Sequence, residues 1–204
     1  MNEPTTVPNH HADYPGFSGL AGLSAALSMV AGRDGNARLA AARSGATSGD
    51  VVVDIGCGPG AAARYAARLG ARVTGVDPAP VMLRVARLLT RRSDNVRYVE
   101  GTAEALPVPD DSASAVWAIA TVHHWTDLDA ALREVSRVLR PGGHFVAIER
   151  RTLPGADGLA SHGWTDAQAD AFADRCREHD FTDVQVERNT SGRRSTVSVT
   201  ATAP

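Results

Sequence analysis

From residue 51 onward, short apolar or β-branched runs alternate with stretches whose apolar residues recur at helical spacing, the pattern of a parallel sheet covered by helices. Val51–Ile55 is apolar except for Asp54, which suits a strand buried on both faces. An alanine-rich helix over Ala61–Leu69 follows, stopped by Gly70, and Arg72–Val76 is the next strand, completing one βαβ unit. Pro80 fits the first turn of a helix in which Val81, Val85 and Leu88 line one side, up to Arg91. Val96–Glu100 and Ala113–Ala120 are the third and fourth strands, and Pro107 and Pro109 keep the connection between them out of long helix. Thr126 and Asp129 resemble a capping box ahead of an apolar stripe at Leu128, Leu132, Val135 and Leu139. Pro141-Gly142-Gly143 ends that helix before a fifth strand over His144–Glu149. Thr165 with Gln168 caps a last helix, on which Ala169, Phe172, Ala173 and Cys176 share a face. Val184 and Val186, then Val197 and Val199, alternate as two strands; the turn Asn189–Arg194, about six residues with Gly192, predicts an antiparallel hairpin.

The pattern thus predicts an α/β doubly wound domain over residues 49–204. Residues 1–48, rich in Ala, Gly and Ser, form a loose segment followed by one or two helices. Within it Tyr14, Phe17 and the apolar run Leu20–Val30 suit either a lid over the cleft or a helix packed on the sheet. Leu20–Val30 is too short for the ~20 residues of a membrane span, and no basic residue marks Met1–Pro8 as a secretory leader. The two cysteines, Cys57 and Cys176, lie far apart, so the expected compartment is a reducing cytoplasm.

Composition excludes more than it identifies. A net charge of -2 offers polyphosphate no global attraction, which argues against a nucleic-acid partner. All 21 basic residues are arginine, and the missing lysine removes P-loop, protein-kinase and Schiff-base chemistry.

The candidate chemistry begins at Asp54-Ile55-Gly56-Cys57-Gly58-Pro59-Gly60, a glycine turn from the first strand into the first helix that lets a ligand approach the backbone. Gly56 to Ala61 also fits the loose dinucleotide pattern, so an oxidoreductase is the first rival. Charge separates the two. A pyrophosphate is repelled by Asp54, whereas a ligand with a cationic ammonium accepts it. Asp77, ending the second strand, suits two ribose hydroxyls in either case.

Val53–Gly60 resembles motif I of the class I S-adenosylmethionine-dependent methyltransferases, of the type 11-like kind. Further matches follow in order: Gly75–Leu83, Gly101–Pro107, Val122-His123-His124-Trp125 and Leu139-Arg140-Pro141-Gly142-Gly143, together covering roughly residues 45 to 150. The resemblance implies a Rossmann-like seven-stranded sheet with one antiparallel strand, S-adenosylmethionine as cofactor with S-adenosylhomocysteine as product, and a small-molecule methyl acceptor. It places Asp54, Gly56, Cys57, Gly58 and Gly60 at the amino-acid end of the cofactor, and Asp77 and Pro78 at the ribose. Met82, Thr102, Ala103 and Glu104 fall at the adenine, and Ala120 and Thr121 beside the methionine portion. Thr102 stands where the family commonly has Asp, and a hydroxyl there is worth roughly half a charge-assisted bond.

His123 and His124 follow the fourth strand, where either suits a general base or a packing role. No metal is expected, because His10, His11 and Asp13 are adjacent and lack a fourth ligand at useful spacing. A catalytically silent module that binds the cofactor and acts through a partner is the non-enzyme alternative.

Overall fold

Apolar runs and helical stripes become one sheet with helices on both faces. The computed structural model describes residues 6–12, 34–90, 95–191 and 194–204. The strands are β1 (Val51–Ile55), β2 (Arg72–Asp77), β3 (Val96–Glu100), β4 (Ala113–Ile119), β5 (Leu139–Arg150), β6 (Thr182–Ser191) and β7 (Arg194–Thr202). They lie in the order β3-β2-β1-β4-β5-β7-β6. β7 is antiparallel to both of its neighbours, and the pairings among β1 to β5 are parallel. The helices of the described residues are α1 (Asp34–Ser44), α2 (Ala61–Arg68), α3 (Pro80–Leu89), α4 (Leu128–Val138) and α5 (Asp166–Glu178). None of them is long and apolar enough to cross a membrane.

Period-two alternation divides the core. Val53 and Ile55 of β1, Val116 and Ala118 of β4, and Phe145 and Ala147 of β5 pack with Leu132 and Val135 of α4 and Phe172 and Cys176 of α5. Their neighbours Val52, Ala115, Trp117, Val146 and Ile148 face the other way, against Ala40 of α1, Ala63 and Ala66 of α2, and Leu83 of α3. All seven residues of β4 are buried, as the central strand of a sheet covered twice must be. α1, which the sequence pattern sets before the domain, belongs to this covering layer: Ala37 and Ala40 are fully buried, and Trp117 Nε1 donates to Ser44 Oγ at 3.0 Å.

Three local expectations change. Thr126 does not open α4; Glu104 Oε1 accepts its N–H and hydroxyl at 2.7 and 2.9 Å, and Asp127 becomes the N-cap, accepting from Ala130 N. β5 starts at Leu139 rather than His144, because the glycines after Pro141 let the strand bulge instead of stopping it. Gly142, at φ 73°, donates to Ala203 O, and Gly143 O accepts from Ala203 N. The hairpin is tighter than expected, since pairing runs to Ser191 opposite Arg194.

Residues 6–12 are anchored far from their place in the sequence. Trp164 Nε1 donates to Pro8 O at 2.8 Å, Gln168 Nε2 to Val7 O at 3.2 Å and Asn9 Nδ2 to Trp125 O at 2.9 Å, while His11 N donates to His123 O. Tyr14 and Phe17, the residues expected to form a lid, lie outside the described residues.

Candidate functional site

Strand order reverses between β1 and β4, and in an open α/β sheet the crevice beyond the carboxyl ends of such strands is where ligands collect. Here the loop after β1 meets the loop after β4. Gly56, Gly58 and Gly60 all have positive φ, at 64°, 52° and 77°. At Gly56 a side chain is also sterically impossible without movement, for a Cβ would lie 2.1 Å from Thr121 Oγ1. Around Gly58 there is open space, so ligand atoms can reach the backbone. Ala120, just after β4, takes φ 56° although it is not glycine, a conformation that costs about 1 to 2 kcal/mol and is concentrated at functional turns.

Two carboxylates flank this loop. Asp54 is 2% exposed at the end of β1. Asp77, at the end of β2, accepts from Gly58 N at 2.8 Å through Oδ2 and from Ala79 N at 2.9 Å through Oδ1. Burial raises its pKa above the usual carboxylate range, and those two N–H groups pull it part of the way back. Each oxygen keeps a further lone pair for a ligand hydroxyl. Cys57 is buried between the two, and burial together with the charges of Asp54 and Asp77 pushes its thiol well up, so it packs rather than reacts.

The turn after β3 carries the residues that the sequence resemblance assigns to an adenine. Gly101 N donates to Asp77 O, Ala103 is buried, and Met82 is buried with Ala79, Val81 and Val85. Pro78 is exposed. Thr102 hydrogen-bonds Glu104, whose carboxylate also accepts from Thr126 and Asp127. Burial alone would raise the Glu104 pKa, but its own backbone N–H, then the Thr102 hydroxyl and the Thr126 donors, hold it below the usual range. Glu104 therefore acts first as a tie between two loops. Arg137 of α4 fastens the same crossover, donating to the carbonyls of Leu106 and Val108 and pairing with Glu134.

Some contributors have no sequence signature. Tyr98 of β3 lies under the glycine loop, where a Cβ on Gly60 or Gly75 would fall 2.2 Å or 2.7 Å from its atoms. Burial moves its phenol to about 12. Glu149, fully buried near the end of β5, accepts from Val122 N at 2.9 Å through Oε1 and sets Oε2 2.9 Å from His123 Nδ1. A lone carboxylate closing the apolar run Phe145–Ile148, comparable to Asp54 within β1, is the clue that sequence offers for it. His123 is buried and His124 half-buried, and they do not stand alone: the rings of His11 and His162 join them, with centroids 4.1 to 5.8 Å apart. Burial, and then the neighbouring rings, bring His11 and His124 down to about 4 and lower His162 as well.

A family described as a methyltransferase domain matches residues 53–147. A demethylmenaquinone methyltransferase of Tropheryma whipplei is 39% identical over 105 residues, 52% of this chain and 44% of that protein. The chain thus matches less than half the length of such curated relatives. Among solved structures, an S-adenosylmethionine-dependent methyltransferase from Aquifex aeolicus aligns with a TM-score of 0.74 at 16% identity, over 89% of this chain and 98% of that one. The [4+2]-cyclase SpnF aligns with a TM-score of 0.72 at 23% identity, over 84% and 80%. At these identities the structures establish the shared fold.

Proposed function

We propose that the chain, whose residues 53–147 match a methyltransferase-domain family, is a class I S-adenosylmethionine-dependent methyltransferase that transfers a methyl group to an oxygen, nitrogen or carbon atom of a small molecule. The observation that carries the reading is the crevice itself: an open glycine loop with positive φ, flanked by Asp54 and Asp77, at the point where strand order reverses. That donor set suits a cationic amino acid joined to a ribose, and it ill suits a pyrophosphate.

S-adenosylmethionine supplies an activated methyl on a sulfonium. The chain's own residues have to align it and exclude water. In this reading Asp54 serves the ammonium end, the Gly56–Gly60 backbone lies along the methionine portion, and Asp77 accepts the ribose hydroxyls with its remaining lone pairs. Met82 and Ala103 flank the adenine. The Thr102 hydroxyl, directed towards Glu104, would keep a lone pair for the adenine amino group. Ala120 and Thr121 would lie beside the methionine portion. With a pKa near 4, His124 is a feeble base, so alignment rather than strong base catalysis drives the transfer. Two buried free thiols suit a reducing compartment, and we assign the chain to the cytoplasm.

The test is incubation with isotopically labelled methyl donor and metabolite fractions, read by product mass. Label in a new small molecule, together with stabilisation by S-adenosylhomocysteine, supports the reading. Stabilisation by NAD alone would overturn it. Because one fold neighbour is named for a cyclisation, cofactor binding without labelled product points to the fold being used for something else.

A further inference from the structure

Of the seven histidines in the chain, five gather at the carboxyl ends of β4 and β5. Four of them, His11, His123, His124 and His162, each place a ring nitrogen so that all four atoms lie within 4.8 Å of one another. They come from three separate stretches of chain: residues 6–12, the loop after β4 and the loop after β5. We propose that these four imidazoles form a binding site for one divalent transition-metal ion of the zinc class, with Glu149 as the outer carboxylate that orients His123.

The geometry favours a ligand shell over ring packing. A tetrahedral zinc site with bonds of about 2.0 to 2.1 Å spaces its nitrogens roughly 3.3 Å apart, and side-chain rotations at histidines in loops can close the remaining distance. Metal-bound histidine characteristically gives its other ring N–H to a carboxylate, which fixes the tautomer and leaves the lone pair for the ion. His123 Nδ1 and Glu149 Oε2 lie 2.9 Å apart without an aligned hydrogen bond, close enough for a small turn of the ring to make that pairing and leave Nε2 as the ligand atom. Glu149 is itself held in place by Val122 N, and nothing else in β5 accounts for a fully buried carboxylate beside a histidine cluster. An all-nitrogen set selects against magnesium and calcium, which want oxygen.

The site would act as a clip. His11 brings residues 6–12 to the loop after β4, where His11 N already donates to His123 O, and His162 brings in the loop after β5. An ion bound here ties three loops together beside the crevice proposed for the cofactor, and its binding energy adds to the stability of that arrangement.

The experiment uses the full chain without an affinity tag, stripped with chelator and titrated with Zn²⁺ against a chromophoric competitor, then with Co²⁺. The expected result is one equivalent of saturable binding, intense visible Co²⁺ bands of tetrahedral type, and slowed hydrogen exchange over residues 6–12. His162→Gln, in a half-buried loop position where folding is not at stake, should abolish or weaken binding at least 100-fold. Glu149→Gln should weaken it 10- to 100-fold by loosening the orientation of His123, and His144→Ala, away from the cluster, should leave it unchanged. Absence of saturable binding overturns the proposal, as does equal affinity in wild type and the folded His162→Gln variant, or an octahedral Co²⁺ spectrum.

Discussion

Asp77→Ala separates two jobs done by one carboxylate. In the folded chain the side chain accepts from Gly58 N and Ala79 N, and in the proposed function it also accepts two ribose hydroxyls. Leaving the buried Ala79 N–H without an acceptor costs about 1 to 3 kcal/mol, and the half-buried Gly58 N–H, which water can reach, adds about 1 kcal/mol. Against that, removing the charge relieves the burial that raises its pKa, so the net loss of unfolding free energy is on the order of 1 to 3 kcal/mol. Asp77→Asn keeps an acceptor for one N–H and should lose about half as much. Cofactor affinity falls further, since hydrogen bonds to a charged group are worth about 1.5 to 3 kcal/mol, or roughly 10- to 150-fold in Kd for the pair taken conservatively as one such bond. The pH dependence runs in opposite directions for the two jobs. Because the folded pKa is raised, protonation is favoured in the fold; this group's contribution to stability improves as pH falls through that pKa, whereas hydroxyl acceptance weakens. Urea unfolding of the ligand-free variants and calorimetric titration with S-adenosylhomocysteine measure the two separately. Unchanged apo stability would refute the loop-tying role, and an unchanged Kd would refute the ribose role.

Gly56→Ala should destabilise the chain by about 2 to 5 kcal/mol, the sum of a left-handed residue and a Cβ driven into Thr121; in a Thr121→Gly background only the first part should remain, and denaturant midpoints of the four combinations decide it. Thr102→Asp supplies the residue that the sequence resemblance leads one to expect, and sequence alone argues that it tightens cofactor binding. Since Thr102 hydrogen-bonds Glu104, the second carboxylate instead repels the first, and titration should show several-fold weaker binding. In the metal-free protein the docking of residues 6–12 should weaken as pH falls from 6.5 towards 4, because His11 and His124 stay neutral in the fold to about 4 while the unfolded chain takes up protons near 6.5. His10, His123, His162 and Glu149 are the other ionisable groups facing this pair, and Arg150 faces His162. Hydrogen exchange across that range checks it, and constant protection would refute the burial argument.

What could be read from sequence is what depends on neighbours in sequence. Strand and helix periods, the Thr165 and Gln168 cap, and the glycine loop with Asp54 and Asp77 at fixed offsets are all local, and the sheet with its terminal hairpin follows from them. Thr126 was misread for the opposite reason: its cap geometry is overridden by Glu104, which arrives from another loop. The Pro141-Gly142-Gly143 stop is likewise overridden by pairing with Ala203. The histidine cluster is the extreme case. Spacing around His10 and His11 gives no sign of a cluster, because the histidines that join His11 lie beyond residue 120 and meet it only through the fold. Tyr98 and Glu149 have the same character, being meaningful only through what packs on them.

The strand order carries a consequence for how the chain folds as it is made. β7 is synthesised after both of its neighbours, yet it is an inner strand of the sheet, bonded on one side to β5 and on the other to β6. Until it leaves the ribosome, β5 presents an open edge of unpaired backbone groups, the kind of template on which nascent chains join one another. The sheet therefore cannot close progressively from its amino-terminal half. Its final pairing waits on Arg194–Thr202, and a ribosome stalled before that point would release a protein with most of its core but an adhesive flank.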